Sequence, residues 1–285
     1  MRIIATCQEM RDYSHSVRKS GSSVCLVPTM GALHCGHLSL LKVALGYSAH
    51  TVMSIFINPI QFGPAEDLDK YPRQLDRDCE LADAAGCDAL FIPSRQEIYP
   101  ESHGTYVSVD NIAGVLCGAS RPTHFRGVAT IVLKLFNIVM PGTAVFGSKD
   151  AQQIIVIRRM VEDLNLQVRI IPAPTVREGD GLAMSSRNAY LSAQERSEAS
   201  LIYRALRCAQ RLYDDGERGS KLIKERIGAM LAGSSMIKPE YIEVVDTVQL
   251  KSLDRLDRPA LIAAACRTAE TGTRLIDNIV LGGDL

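Results

Sequence analysis

The strongest constraint on the fold is an alternation of short apolar runs with longer helical patterns through the first 176 residues. The runs, rich in β-branched residues, are VCLVPT (24–29), TVMSIFI (51–57), DALFIP (88–93), TAVFG (143–147) and LQVRIIPAPTV (166–176). Between them, segments such as HLSLLKVALGYS and RGVATIVLKLFNIV repeat apolar residues at helical spacing. This order predicts an α/β fold, a Rossmann-like doubly wound parallel sheet with ligands at the carboxyl ends of its strands.

The character of the sequence changes near residue 177. A polar stretch leads into a charged helix over roughly 193–215 and a second helix near 219–232. Three runs then predict a small antiparallel sheet: EYIEVVD, ALIAAACRT and GTRLIDNIVL. We therefore expect two closely coupled domains, 1–176 and a smaller C-terminal α+β domain over 177–285.

Composition disfavours several classes of protein. Lysine plus arginine equals aspartate plus glutamate at 32 each, so no excess of basic charge favours nucleic acid or an acidic membrane. No apolar stretch approaches the roughly 20 residues of a membrane span, and the N-terminal apolar run is too short for a signal peptide. The eight cysteines show no C-x-x-C and no tight spacing to histidines that would indicate a zinc site, so we interpret them as scattered reduced thiols. We expect a cytoplasmic protein with small-molecule partners, no nucleic acid and no membrane.

The stretch TMGALHCGHLSLL places two glycines and two histidines between a predicted strand and a predicted helix. Gly31 and Gly36 permit a tight turn, and free N–H groups of the first helical turn would form an anion site. The glycine spacing is that of a P-loop, but His37 replaces the required lysine, so that interpretation fails. His34 and His37 alone make a metal site improbable, because zinc needs three protein ligands. A purely structural turn with surface histidines remains an alternative here.

Three other segments offer polar groups. Lys149, in VFGSKDAQQ, follows a strand and can reach phosphate oxygens. In GLAMSSRN, the hydroxyls of Ser185 and Ser186 can donate to phosphate and Arg187 can bind it with two N–H groups. In NPIQFGP, Gln61 carries an amide suited to a hydroxy acid. Taken singly, an ordinary capped helix or a solvated linker explains the first two equally well.

Four aspartates follow Gln61: Asp67, Asp69, Asp76 and Asp78. We interpret most of them as solvated charges, with one as a candidate for a water-mediated contact with Mg²⁺.

Together these segments resemble the pantothenate synthetase family, also called pantoate–β-alanine ligases, within the nucleotidyltransferases that share an H-x-G-H turn. The matching segments, in the family's order, are PTMGALHCGHLSL, FINPIQFGPAEDLDKYPR, GASRPTHFRGVATIVLKLFNIV, FGSKDAQQ and DGLAMSSRNAYLS. The resemblance implies an AMP-forming ligase that joins (R)-pantoate to β-alanine through a pantoyl adenylate. The products would be pantothenate, a coenzyme A precursor, AMP and diphosphate. It also implies ATP with Mg²⁺ and a homodimer, for which the apolar segments near 107–140 are candidates.

The resemblance also implies site residues. Those for ATP are Met30, Gly31, Ala32, Leu33, His34, Cys35, Gly36, His37, Gly147, Ser148, Lys149, Asp150, Val176, Met184, Ser185, Ser186 and Arg187. Gln61 and Gln153 would bind pantoate, with Gln61 also near β-alanine. His37 is implied as the catalytic acid, and we expect His34 and Lys149 to act with it on the charge that builds in adenylate formation. The metal ligands are not assigned.

The sequence departs from the family pattern at three places. Cys35 fills a variable position, Cys117 stands where an acidic residue is expected, and Thr123 replaces a glycine before HFRG.

Two alternatives remain: a related adenylyl or cytidylyl transferase with a phosphate acceptor, and a nucleotide-binding sensor without catalysis. A phosphate acceptor would favour a further basic pocket, where this chain offers Gln61 and Gln153. The chemistry needs no enzyme nucleophile, so we expect the cysteines to be spectators.

Overall fold

A six-stranded sheet forms the first part of the computed structural model, which describes residues 1–64 and 66–285. Its strands are β1 (Arg2–Ile4), β2 (Val24–Thr29), β3 (His50–Ile55), β4 (Ala89–Phe91), β5 (Thr143–Gly147) and β6 (Arg169–Ala173). Every neighbouring pair is parallel, in the order β1-β4-β3-β2-β5-β6. The predicted doubly wound parallel sheet is confirmed.

Helices cover both faces of this sheet. They are α1 (Cys7–Lys19), α2 (Cys35–Leu45), α3 (Leu75–Ala84), α4 (Arg95–Ile98), α5 (Cys117–Ser120), α6 (His124–Val139) and α7 (Ala151–Asp163). Successive strand residues alternate between two cores: Leu26 joins the core shared with α1, α6 and α7, whereas Val27 joins the core shared with α2 and α3. Because strand side chains alternate in direction, a nearly continuous apolar run serves both faces.

The order of the strands places a crevice above β2. From β2 the chain proceeds to β3 and β4 on one side, and later to β5 and β6 on the other. Ligands bind where this direction reverses, at the carboxyl ends of the strands. The ends of β2 and β5 carry the H-x-G-H turn (30–37) and a 3₁₀ turn, Ser148–Asp150. A second 3₁₀ turn, Pro59–Gln61, follows β3.

The second part is a three-stranded antiparallel sheet with its own helices. Its elements are the 3₁₀ turn Ser186–Tyr190, α8 (Ala193–Ala199), α9 (Leu201–Asp214), α10 (Ser220–Ala232), β7 (Ile237–Asp246), β8 (Ala260–Thr268) and β9 (Arg274–Leu281). A separate apolar core joins α9 and α10 to the sheet, with Leu206, Ile227 and Ile262 at its centre. The expected smaller α+β part is confirmed, and the boundary at 176/177 stays a prediction.

The structure differs from the sequence-based expectation in two elements. Strand β1 was not among the predicted strands, because it is three residues long and only Ile4 is buried. The single helix predicted over 193–215 is divided at Ser200, which ends α8. The second helix, α9, begins at Leu201, and the Ser200 carbonyl accepts the N–H of Arg204.

Candidate active site

A cleft of about 1400 Å³ lies between the two parts, above the carboxyl ends of β2 and β5. The predicted site residues that line it are Met30, His34, Gly36, His37, Gln61, Gly147, Lys149, Asp150, Gln153, Val176, Met184, Ser185, Ser186 and Arg187. Those outside the lining are Gly31, Ala32, Leu33, Cys35 and Ser148. Segments separated by more than a hundred residues therefore meet in one cavity.

The first half of the H-x-G-H turn is held by a buried carboxylate. Gly31 and Ala32 adopt positive φ angles of 83° and 51°. The N–H groups of Ala32 and Leu33 then donate to the two oxygens of Asp78, at 2.8 and 2.7 Å. Asp78 is only 2% exposed. Asp78 is therefore not one of the solvated charges expected among the four aspartates, because the backbone of the turn surrounds it.

The second half of the turn orients both imidazole rings. His34 Nδ1 accepts the N–H of Gly36 at 3.1 Å, and His37 Nδ1 accepts the N–H of His34 at 3.4 Å. The rings stack with centroids 4.0 Å apart. Since a neutral ring carries one proton, this geometry assigns it to Nε2 in each histidine. The expectation that the first-turn N–H groups stay free is wrong for Gly36, whose N–H is used within the turn.

Both histidines are neutral at physiological pH. Burial, the neighbouring His34 and the cation of Lys149 lower the pKa of His37 to about 3. The pKa of His34 is also lowered, by burial and then by Lys149. Each ring is therefore an uncharged hydrogen-bond donor rather than a fixed cation.

Gln61 is fixed by a chain of buried polar groups. Tyr99 Oη donates to Asn58 Oδ1 at 2.9 Å, and Asn58 Nδ2 donates to Gln61 Oε1 at 2.9 Å. The backbone of Gln61 packs so tightly on α6 that a Cβ at Gly127 would lie 2.5 Å from its Cα. The carboxamide oxygen is thus occupied, and the NH₂ group lies 3.1 Å from Met30 Sδ at the edge of the cleft.

Two further residues beside Gln61 come from the GASRPTHFRG segment. His124 Nδ1 donates to the Gln61 carbonyl at 3.0 Å, and burial followed by the charge of Arg121 lowers its pKa to about 4. Arg121 in turn forms an ion pair with Glu66. Thr123, the departure from the family pattern, precedes α6 and leaves His124 in the cleft lining.

The adjacent glutamines of α7 have different environments. Gln152 is buried and holds the preceding loop, donating to the carbonyls of Ile112 and Val115 at 2.9 and 2.7 Å and accepting the N–H of Cys117 at 3.0 Å. Gln153 lines the cleft, and its amide has no hydrogen-bond partner within the described residues. Only Gln153 is therefore available to a ligand.

Lys149 is positioned by the second part of the chain. Asn278, on β9, donates from Nδ2 to the carbonyls of Ser148 and Lys149 at 3.0 and 2.8 Å. The ammonium lies 4.0 Å from Asp150 Oδ2. The sequence analysis missed Asn278, because its partners are about 130 residues away and no local pattern marks it.

The loop carrying Ser185 and Ser186 is also anchored from the second part. Arg177 binds Asp277 with two hydrogen bonds of 2.6 and 2.9 Å, and its guanidinium lies 3.6 Å from the centroid of the Tyr203 ring. From this loop, Ser186 Oγ donates to the carbonyl of Ala32 at 3.3 Å. The loop therefore connects the second part to the H-x-G-H turn. The sequence analysis did not identify Arg177 or Asp277.

Arg187 is bound to a carboxylate of the first part. Its Nε and Nη2 donate to Asp67 at 2.8 and 2.9 Å. Burial of Asp67 opposes its ionisation, but the contact with Arg187 holds the pKa of this carboxyl below its usual value. Asp67 is therefore not a solvated charge either, and the expectation that most of the four aspartates are solvated is wrong, because only Asp69 and Asp76 are exposed.

No group of three His, Cys, Asp or Glu residues within the described chain could hold a metal by itself. The eight cysteines are free thiols, and Cys117 Sγ lies 3.1 Å from Tyr241 Oη at the cleft. Among the described helices, none has the length and apolar character to cross a membrane.

Similarity to known proteins covers nearly the whole chain. The family model described as pantoate-beta-alanine ligase matches residues 2–280. Pantothenate synthetases from Caldicellulosiruptor bescii and Acetivibrio thermocellus are each 49% identical over 281 residues, which cover 99% of each chain.

Solved structures give the same result. The pantothenate synthetase of Thermus thermophilus superposes with a TM-score of 0.92 at 41% identity, covering 98% of this chain and 99% of its own. A pantoate-beta-alanine ligase from Francisella tularensis, complexed with beta-gamma ATP and beta-alanine, has a TM-score of 0.79 at 33% identity and covers 98% and 97%. The cleft described above thus occurs in a chain that belongs to the pantoate–β-alanine ligase family.

Proposed function

We propose that this chain joins pantoate to β-alanine at the expense of ATP, through a pantoyl adenylate, with AMP and diphosphate released. The observation that carries this proposal is the meeting of the H-x-G-H turn, Lys149 and the Ser185–Arg187 loop in the cleft that also contains Gln61 and Gln153. The Francisella relative, solved with an ATP species and β-alanine, supports the same pair of ligands here.

In the first step, a pantoate carboxylate oxygen forms a bond to the α-phosphorus while the bond to the bridging oxygen breaks. Two like charges about 4 Å apart repel by roughly 4 kcal/mol at an effective dielectric of 20, so the anions must be compensated. Lys149 supplies a cation, and His34 and His37 supply two Nε2–H donors from a rigid turn. Donors fixed before the reaction lose no free energy to reorientation as charge develops.

His37 is the proposed catalytic acid. Its pKa of about 3 in the free protein makes it a neutral donor. An anionic phosphate beside the ring raises that pKa, because it favours the charged form. The ring can then take a proton from solvent at Nδ1, which gives up the N–H of His34, and pass its Nε2 proton to the departing diphosphate oxygen.

Gln153 and Gln61 are the proposed pantoate ligands, with Gln61 also facing β-alanine. In the second step the β-alanine amine forms a C–N bond to the adenylate carbonyl carbon, and the bond to AMP breaks. No thiol takes part, so the cysteines are spectators. Arg121, which donates from Nη2 to the Gln61 carbonyl at 3.4 Å, is already paired with Glu66, which disfavours a phosphate acceptor in this pocket.

A magnesium ion bound with ATP fits the exposed carboxylates of the cleft. Both oxygens of Asp78 hold backbone N–H groups and Asp67 holds Arg187, whereas the Asp150 side chain is 47% exposed in the cleft. Mg²⁺ is commonly held by one or two carboxylates together with phosphate oxygens, and when bound it neutralises triphosphate charge. Asp69 also lines the cleft with an exposed side chain, so Asp150 and Asp69 are the proposed protein ligands.

The proposed organisation is a catalytic domain over 1–176 and a lid domain over 177–285 that shields the adenylate from water. Free thiols throughout the described chain are in keeping with a cytoplasmic, reducing compartment. A homodimer is also proposed, and Tyr106 and Val115 are exposed apolar side chains available for its contact.

Diphosphate release measured with ATP and pantoate alone tests the first step. We expect pantoate-dependent diphosphate, followed by AMP and pantothenate when β-alanine is added. Release without pantoate would indicate hydrolysis, and absence of pantoate-dependent release would contradict the proposal. A phosphorylated acceptor in place of pantoate tests the alternative transferase function and should give no product.

A further inference from the structure

Asp78 is a buried carboxylate with no cationic partner among the described residues. It lies in the first turn of α3, 46 residues beyond Ala32, and is 2% exposed. Burying a charge in this way is unfavourable unless hydrogen bonds compensate it. The only side-chain hydrogen bonds described for it are the two from Ala32 and Leu33.

The turn needs such a partner. Positive φ angles at Gly31 and Ala32 direct successive backbone N–H groups towards one point, which is the geometry of an anion-binding concavity. Ala32 is not a glycine, so its left-handed backbone must be stabilised by its surroundings. Here the anion comes from the chain itself, since the concavity encloses Asp78 instead of a ligand.

The same turn continues directly into the catalytic histidines. Leu33 precedes His34, which caps α2 and accepts the Gly36 N–H. The His34 N–H, one residue beyond the contact with Asp78, donates to His37 Nδ1. A change in the backbone at 32–33 would therefore alter the direction of this N–H and, with it, the proton position in the His37 ring.

We propose that Asp78 is a positioning residue for adenylate formation: its carboxylate fills the concavity at 31–33 and thereby directs the Nε2–H groups of His34 and His37 into the cleft. The catalytic part of this inference rests on the proposed function. Asp78 itself touches no substrate.

Asp78→Asn tests this with little change in shape. An amide offers one oxygen to two converging N–H groups, and its NH₂ would face the second N–H as a like dipole. Asp76→Asn is the matched control, because Asp76 lies in the same helical turn but is exposed.

We expect Asp78→Asn to lower kcat for pantoate-dependent diphosphate release by about 100-fold, the cost of a displacement near 1 Å at a reacting centre. The KM for pantoate should change by less than about threefold, because the contacts that hold Gln61 do not include Asp78. Asp76→Asn should match the wild type. A rise in the KM for pantoate as large as the fall in kcat, or an unchanged kcat, would overturn the proposal.

Nitrogen-15 correlation spectra of the ring nitrogens provide a readout that simple destabilisation would not move. The substrate-free wild type should show protonated Nε2 and unprotonated Nδ1 for both histidines, and folded Asp78→Asn should show a mixture for His37. Unchanged ring signals in the variant would overturn the positioning role. If the wild type makes no pantoate-dependent diphosphate, the proposed function fails while these spectra still decide the geometry.

The wild type also provides a test should the variant fail to fold. The amide protons of Ala32 and Leu33 should exchange slowly with solvent deuterium, because both are bonded to a buried carboxylate. Rapid exchange at both would overturn the proposal without any substitution.

Discussion

The two walls of the cleft are held together by different kinds of contact. On one wall, the H-x-G-H turn and Gln61 are fixed by backbone groups and by a buried carboxylate or carboxamide. On the other, the arginines Arg121 and Arg187 are paired with the carboxylates Glu66 and Asp67. The first wall is built for constant geometry, whereas on the second Arg187 belongs to the proposed ATP site, where a phosphate can replace its carboxylate partner.

This difference separates catalysis from binding. Internal hydrogen bonds to buried groups are costly to break, so the histidine wall keeps its donors aligned without substrate. The side chains of Arg187 and Asp67 are 28% and 23% exposed, and a phosphate accepts the same two N–H groups as a carboxylate, so Arg187 can exchange one for the other at small cost. Substitutions of the H-x-G-H histidines should therefore change kcat, and substitutions of Arg187 or its carboxylate partner should change KM.

The largest expected effect is that of His37→Ala. Loss of a fixed donor and proton source should lower the rate of pantoyl adenylate formation by about 1000-fold, with little change in pantoate affinity. Rapid-quench measurement of diphosphate and calorimetric titration of pantoate separate the two quantities. Parallel losses of rate and affinity would remove the distinction between the walls.

The neighbouring glutamines should separate binding from stability. Gln153→Ala removes hydrogen bonds to pantoate and should raise its KM by about tenfold with an unchanged melting temperature. Gln152→Ala leaves the Cys117 N–H and two carbonyls without their partner and should lower the free energy of unfolding by about 2 kcal/mol. Steady-state kinetics and urea unfolding of both variants test this, and a reversed pattern would show that the roles are exchanged.

Asp67→Asn should have a smaller effect, on the second wall. It releases Arg187 from its carboxylate, so the KM for ATP should fall by about threefold at low salt. The difference should shrink in about 0.5 M salt, which screens the pair. An increase in the KM for ATP would mean that Asp67 holds Arg187 in its binding position instead of competing for it.

The smallest expected effect concerns pH: the ring of His37 should show no titration near the usual pKa of histidine. Because burial lowers the pKa of His37 to about 3, its ring nitrogens should stay neutral from about pH 8 to about pH 4 in the substrate-free protein. An unfolded histidine binds its proton near pH 6.5, so the folded state loses stability as pH falls from about 6.5 towards 3. Nitrogen-15 shifts report the ring directly, with Lys149→Met as a control that removes only a minor cause of the shift. A midpoint near 6.5 would show that the ring is solvated.

The sequence predicts the helices and strands better than it predicts the contacts that hold the site residues in place. Strand β5 and strand β8 occupy the predicted segments, because each contains a continuous apolar run of the kind that a buried strand requires. Asp78 could not be recognised, since a carboxylate in a charged helical turn has the same local pattern whether it faces water or the backbone of Ala32. The role of Asn278 depends on β9 lying beside the Ser148–Asp150 turn, which only the tertiary structure shows.

The attachment of Asn278 to the Ser148 and Lys149 carbonyls also restricts how the cleft can open. A rigid rotation of the second part that keeps these two hydrogen bonds must turn about Asn278 as a pivot. The displacement between the two parts then grows with distance from Asn278. It is smallest beside Lys149 and largest at the far edge of the cleft. The lysine can remain a stationary reference while the opposite rim admits substrates and releases diphosphate.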